Sequence, residues 1–139
     1  MRVKSLFSAR YQIVAIIDGE ACPVEQFIID GEAETESSRS GLLDMLEKVA
    51  TFGLENVPSK WWHEANKQEK IYEFSKGPLR IFFFKGHDDQ IAVCTAGTRK
   101  KTQKADKQKV AQAIGWRKEY FAAVASGALI VEVDLHEDQ

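Results

Sequence analysis

The chain has 139 residues, of which 44% are hydrophobic and 29% are charged, and its formal net charge is −2. This size and composition predict one domain around a single core. The chain contains no run of about 18 apolar residues, which excludes a membrane-spanning helix, and it lacks the signature of a signal peptide, so we expect a cytoplasmic protein.

Cysteine content argues against a structural metal site. Cys22 and Cys94 are the only cysteines, and neither belongs to a CxxC or Cys/His pattern of the kind that binds zinc. We therefore expect two reduced thiols that pack in the core.

Positive charge is concentrated in the middle of the chain. Residues 1–59 carry five Lys/Arg and ten Asp/Glu, residues 60–118 carry fourteen and six, and residues 119–139 carry none and five. Exposed charges act over roughly 10 Å at moderate salt, so the middle segment can present a positive surface. The alternative is that the acidic segments fold back against it and cancel its charge.

The N-terminal third predicts a strand followed by helices. Residues 11–18 are β-branched and end at an Asp-Gly turn, which indicates a strand. Residues 23–29 form a short apolar segment in which Pro23 suits a first helical turn. Residues 31–40 are polar and indicate a loop or a frayed helix start.

A second helix and a loop follow. Apolar residues at helical spacing predict an amphipathic helix over residues 35–52, and Gly53 is placed to end it. Residues 54–67 show no clear period and contain Pro58 and two adjacent tryptophans. We interpret this segment as a loop that packs its aromatic side chains onto the domain.

Three strands joined by short turns come next. Residues 70–75, 79–85 and 90–95 read as strands, and residues 76–78 and 86–89 read as the turns between them. This arrangement predicts an antiparallel meander.

A basic tract, residues 99–109, leads from the meander into a helix predicted over residues 105–126. Residues 128–134 are β-rich and form either the last strand of the sheet or a free edge that adds to a partner's sheet. An acidic tail, residues 135–139, ends the chain. We expect an α+β domain over residues 1–139, with helices on one face of a mainly antiparallel sheet.

Three motifs in this order resemble the RelE/ParE superfamily of bacterial toxins, and within it the phage-derived HigB-type branch. They are Tyr72-Glu73, Arg80-Ile81 and Lys100-Lys101-Thr102. The resemblance covers about residues 10–120 and implies a RelE-like fold, here with an extra C-terminal strand. Ser75 stands where that branch often has Arg.

The resemblance implies a toxin of a type II toxin–antitoxin pair. The implied activity is metal-independent, ribosome-dependent cleavage of mRNA without a cofactor, which inhibits translation. The implied partners are a cognate antitoxin of the helix-turn-helix type and mRNA on the ribosome; a homodimer stays open. Two alternatives without nuclease activity are a gyrase inhibitor and a nucleic-acid-binding adaptor of phage origin.

Four residues are candidates for catalysis. Arg80 could clamp the scissile phosphate through its planar fork, or could pair with Glu73 across the hairpin. Lys100 and Lys101 could neutralise developing charge, or could form a solvated helix entry. His87 could act as a general acid or base, or could be an exposed turn residue.

Other residues are candidates for binding RNA or for orienting the site. Tyr72 could orient a base by stacking, or could simply pack, and Glu73 has a structural or orienting role. Thr102 could bind a phosphate, or could cap the following helix. His63 and His136 have no partner that the sequence indicates. The expected contacts to the RNA backbone come from Lys85, Arg99, Thr102, Lys104, Lys107 and Lys109.

Overall fold

The computed structural model of the protein describes residues 1–100 and 106–133. Within them the chain forms seven strands and three α-helices, joined by short turns. In chain order they are β1 (Arg2–Ser8), β2 (Gln12–Ile17), α1 (Pro23–Ile29), α2 (Glu36–Phe52), β3 (Trp62–Asn66), β4 (Ile71–Lys76), β5 (Leu79–Lys85), β6 (Ile91–Arg99), α3 (Lys107–Ser126) and β7 (Ile130–Glu132).

All seven strands belong to one sheet, in the order β3-β4-β5-β6-β2-β1-β7. The β4-β5-β6 meander is antiparallel, as the sequence predicts. However, β6 runs parallel to β2, and β7 runs parallel to β1. The protein is therefore an α+β protein with a mixed sheet, and the expectation of a mainly antiparallel sheet is not confirmed. Neither parallel pair joins strands that follow each other in the chain: α1, α2 and three strands lie between β2 and β6, and nearly the whole chain lies between β1 and β7.

Helices cover both faces of the sheet, so the expectation that they cover one face is wrong. On β5, Ile81 and Phe83 belong to the core beneath α1 and α2. Phe82 and Phe84, which alternate with them, belong to the core beneath α3. A strand that is apolar on both of its faces needs cover on both faces, and β5 is such a strand.

Two strands are not predicted from the sequence. β1 begins the chain and pairs with β2. β3 lies within residues 54–67, which the sequence analysis interprets as a loop; that interpretation is wrong for residues 62–66. β3 is the edge strand beside β4 and is mostly polar. An edge strand that is exposed on much of its surface gives little hydrophobic alternation, so its pattern is weak.

The helix boundaries lie close to the predicted ones. α2 ends at Gly53, whose φ of 92° suits glycine, and α3 ends at Gly127, whose φ is 70°. The N-cap of α3 is Asp106, whose carboxylate accepts a hydrogen bond of 3.1 Å from the N–H of Lys109. The prediction that Thr102 caps this helix concerns a residue outside the described ranges.

The β-rich C-terminal segment contributes a strand of the protein's own sheet. Ile130 lies opposite Arg2 in the pairing of β7 with β1.

Both cysteines are free and buried. Within residues 1–100 and 106–133, no helix is long and apolar enough to cross a membrane.

Candidate functional site

Three polar side chains meet on the surface of the sheet that faces α3. They come from neighbouring strands: His63 from β3, Glu73 from β4 and Arg80 from β5. His63 lies directly opposite Glu73 in the strand pairing. Arg80 lies opposite Ser75, two residues beyond Glu73 on the same face. The pleat of three adjacent strands therefore brings these side chains together.

Glu73 is the centre of this cluster. His63 Nε2 lies 2.5 Å from Glu73 Oε1, and Arg80 Nε lies 3.8 Å from the same oxygen. The exposed fractions of the side chains are 6% for Glu73, 14% for Arg80 and 49% for His63. The two side chains are within hydrogen-bonding distance of each other. A buried carboxylate thus holds an imidazole that reaches the solvent.

Arg80 is anchored by its own hairpin. Its Nη1 donates to the carbonyl of Gly77 at 2.7 Å and to that of Leu79 at 2.9 Å. Its Nε is buried and has no hydrogen-bond partner among the described residues. The ion pair with Glu73, one of the two sequence-based interpretations, is present, and it leaves one N–H of the guanidinium unsatisfied.

This arrangement has the parts that acid–base catalysis uses. The carboxylate of Glu73 fixes the orientation of the His63 ring, as the buried carboxylate does in a catalytic triad. The exposed imidazole can donate a proton to a bound ligand or accept one from it. The guanidinium of Arg80 places a permanent positive charge beside them.

The start of the basic tract lies at the same end of the sheet as Arg80. The N–H of Lys100 donates to the carbonyl of Pro78 at 2.6 Å. Lys107 and Lys109 stand in the first turn of α3. About 20 Å of helix separates Lys107 from Tyr120, which contacts the residues after β5. The first turn of α3 therefore lies far from the β5–β6 turn that Tyr120 contacts.

Three candidates of the basic tract, Lys101, Thr102 and Lys104, lie outside the described residues.

Arg99 is neutralised by the acidic loop before α2. Its Nη1 lies 2.9 Å from a carboxylate oxygen of Glu32 and 2.5 Å from one of Glu34. The hydrogen bond from Arg99 lowers the pKa of Glu34, and the hydrogen bond to Glu34 raises the pKa of Arg99. The fold-back alternative holds at this residue, because its charge is matched by two carboxylates.

Lys85 and Tyr72 lie on the other face of the sheet from Glu73. Lys85 Nζ lies 5.3 Å from the ring centroids of both Trp62 and Tyr72. The Tyr72 ring also packs 5.5 Å from that of Phe83, in the core beneath α1 and α2. Packing, one of the two interpretations of Tyr72, is therefore present, and both residues are separated from Arg80 by the sheet.

His87 lies at the opposite end of β5 from Arg80, at roughly 20 Å along the strand. Its Nδ1 is 2.6 Å from the hydroxyl of the buried Tyr120, in a contact that ties the β5–β6 turn to α3. Burial raises the pKa of Tyr120. The structure therefore does not bring His87 together with the other catalytic candidates.

His63 is the cluster residue for which the sequence indicates no partner. A signal was nevertheless present, since residues 62–66 precede a polar turn and then the predicted strand at 70–75. If these two segments are paired as a hairpin, His63 falls opposite Glu73. Because apolar and polar side chains alternate only weakly along residues 62–66, the sequence does not predict this pairing.

The described residues contain no group of three or more His, Cys, Asp or Glu side chains that could hold a metal ion. The sequence matches no protein-family model, and it has no significant match among curated proteins.

Proposed function

We propose that the protein is a cytoplasmic toxin of the RelE/ParE type, a metal-independent endoribonuclease that cleaves mRNA on the ribosome and is inhibited by a cognate antitoxin. One observation carries the proposal: the exposed His63 and the guanidinium of Arg80 both lie close to the buried carboxylate of Glu73. Their distances from Glu73 Oε1 are 2.5 Å and 3.8 Å. The order of the RelE/ParE-like motifs in the sequence supports the choice of substrate.

In the proposed reaction the ribose 2′-oxygen attacks the adjacent phosphorus while the bond from phosphorus to the 5′-oxygen breaks. Because His63 Nε2 is engaged by Glu73, the other ring nitrogen, Nδ1, accepts the proton of the 2′-hydroxyl. The leaving 5′-oxygen takes a proton from water or from a lysine of the basic tract. The products are a 2′,3′-cyclic phosphate and a 5′-hydroxyl.

Arg80 stabilises the negative charge that develops on the phosphate oxygens in this scheme. A fixed guanidinium in a partly buried position acts more strongly on that charge than an exposed one does. Lys100, Lys107 and Lys109 hold the RNA backbone at the same end of the sheet without selecting a sequence.

His63→Gln tests this assignment in purified protein incubated with programmed ribosomes. The 2′,3′-cyclic phosphate ends are counted by mass spectrometry. We expect a loss of at least about 100-fold, because the general base is removed. Glu64→Gln is the matched control, since it changes the next residue of β3, which points away from Glu73, and it should retain full activity. A folded His63→Gln protein with normal activity would refute the assignment.

The alternative, a binding protein without nuclease activity, has its own supporting observation. Glu73 is almost fully buried, and two backbone carbonyls already bind Arg80 Nη1, which is the pattern of a structural ion pair. Induction of the protein in cells separates the alternatives. Cuts within translated mRNA support the nuclease, a DNA damage response with intact mRNA supports gyrase inhibition, and unaffected growth contradicts both toxin proposals.

A further inference from the structure

The two edges of the sheet differ in how well they are protected against pairing with another chain. At one edge, β3 is mostly polar, and its pairing with β4 is irregular between Glu64 and Asn66. At the other edge lies β7, and the described residues place no strand beyond it. Polar or charged side chains and irregular pairing are common ways of blocking an edge strand. β3 has both of these features.

β7 instead presents exposed apolar side chains at its edge. Ile130 is 55% exposed, Val131 is 48% exposed, and Val133, the next residue after the strand, is 56% exposed. Glu132 is the one charged residue of β7, and Arg2 of the same chain binds its carboxylate at 3.0 Å. The edge is therefore apolar and its charge is compensated, which suits an apolar strand as a partner.

The backbone of Val131 faces the outer edge of β7. The N–H of Ile130 donates to the carbonyl of Met1 at 2.9 Å, so the backbone of Ile130 hydrogen-bonds towards β1. Because consecutive residues of a strand direct their N–H and C=O groups to opposite edges, those of Val131 point away from β1. A strand that adds here therefore hydrogen-bonds with Val131 and with the residues two positions away, Leu129 and Val133.

The side chains of the same three residues select the partner strand. Val131 lies opposite Val3 of β1, which belongs to the core beneath α3, and Leu129 packs against that core. If a second copy pairs antiparallel about Val131, then Val131 faces its own counterpart, and Leu129 faces the second copy's Val133. Every cross-strand pair on this face is then apolar. Pairing centred on Glu132 would instead place two carboxylates opposite each other, which is unfavourable.

We propose that the protein forms a two-fold symmetric homodimer in which the β7 strands of two copies pair antiparallel about Val131. The self-complementary order of apolar side chains around Val131 selects a second copy of this chain as the partner. One short strand pair buries less than the roughly 1,200 Å² of a stable interface, so the dimer forms at high protein concentration. His63 lies on β3, at the other edge of each sheet, so the dimer and the proposed RNA site can be tested separately.

Charge exchange at Val131 tests the symmetry by sedimentation velocity of the full chain, from about 10 to about 500 µM. The parent protein should approach twice the monomer mass. Val131→Lys and Val131→Glu should each stay monomeric, because like charges meet at the axis, whereas their equimolar mixture should dimerise. Phe52→Lys is the matched control: Phe52 is 52% exposed on α2, and this variant should dimerise normally. A monomeric parent protein, or a mixture of folded variants that stays monomeric, would overturn the proposal.

Disulfide cross-linking tests the register. In a hydrogen-bonded antiparallel pair the two Cα atoms lie about 5.5 Å apart, which a disulfide can span. Val131→Cys should therefore cross-link to its counterpart at least about tenfold faster than Val133→Cys, whose Cα lies roughly 14 Å from its own counterpart. The natural Cys22 and Cys94 are buried and compete little. Equal rates for the two variants would show that β7 does not pair about Val131.

Discussion

Glu73 shows how much one buried carboxylate depends on its neighbours. Its side chain is 6% exposed, and its two charged or chargeable partners, His63 and Arg80, come from the strands on either side. Burying an ion pair costs desolvation free energy for both charged groups, so the pair adds little net stability to the protein. Removing one partner is strongly unfavourable, because the other charge then stays buried without a counter-ion.

A double-mutant cycle on Glu73 and Arg80 should reveal this asymmetry. We expect Glu73→Leu to lower the free energy of unfolding by about 3 kcal/mol, because the guanidinium of Arg80 then stays largely buried without its counter-ion. The double variant Glu73→Leu/Arg80→Leu should be more stable than Glu73→Leu alone. Urea unfolding followed by circular dichroism measures both values.

His63→Gln is the informative control for that cycle. Because His63 is half exposed, the glutamine variant should unfold within roughly 1 kcal/mol of the parent protein. If Glu73→Leu were as stable as the parent, the Glu73–Arg80 pair would not exist in the folded protein.

Close packing between elements depends on a few small residues. α1 lies against β6 at Gly97, where an added Cβ would overlap the ring of Phe27. Gly115, within α3, faces open space instead. The two glycines therefore have opposite consequences for stability, although the sequence does not distinguish them.

Replacing each glycine by alanine tests this difference. We expect Gly97→Ala to lower the free energy of unfolding by about 1–3 kcal/mol, since the Phe27 ring and α1 must shift. Gly115→Ala should raise it by about 0.5–1 kcal/mol, because alanine favours the helix. Thermal unfolding of both variants provides the measurement. A neutral Gly97→Ala would mean that α1 does not pack against β6 as described.

The whole molecule has an uneven charge distribution that folding partly evens out. Arg99, at the start of the basic tract, is paired with Glu32 and Glu34 from the acidic first half of the chain. Exposed pairs of this kind contribute little to stability and are screened by salt. Their effect on an anionic ligand is larger, because they remove positive charge from the surface that we propose to bind RNA.

Releasing Arg99 should strengthen RNA binding. In a His63→Gln background, which prevents cleavage in our proposal, we expect Glu32→Gln/Glu34→Gln to bind single-stranded RNA several-fold more tightly at about 50 mM salt and to steepen the salt dependence by about one unit. Filter binding over a salt series measures both quantities.

A charge-matched control separates local from global effects. Glu36→Gln/Glu47→Gln changes the net charge by the same amount, but neither residue pairs with Arg99. If both double variants bound RNA equally well, net charge alone would govern binding, and the Arg99 cluster would have no special role.

Sequence periodicity predicted the elements that have a clear apolar face. Strands β2, β4 and β5 and helices α1, α2 and α3 were predicted close to their observed bounds, because each buries a regular set of side chains, whereas β6 extends four residues beyond its predicted end, to Arg99. β3 was missed because an edge strand that is largely exposed carries little apolar pattern. A Glu73–Arg80 ion pair was one of two interpretations of Arg80, whereas no partner was predicted for His63, since its position depends on the pairing of β3 with β4.

By itself, the sequence determined the α+β class, the meander, most element boundaries and the concentration of positive charge between β6 and α3. Only the tertiary structure decided that helices cover both faces of the sheet and that Arg99 is neutralised by the acidic loop. The physical reason is that local periodicity reports which faces are buried. Which residues share a face across three strands depends on strand order and register, which form through contacts between segments distant in the chain.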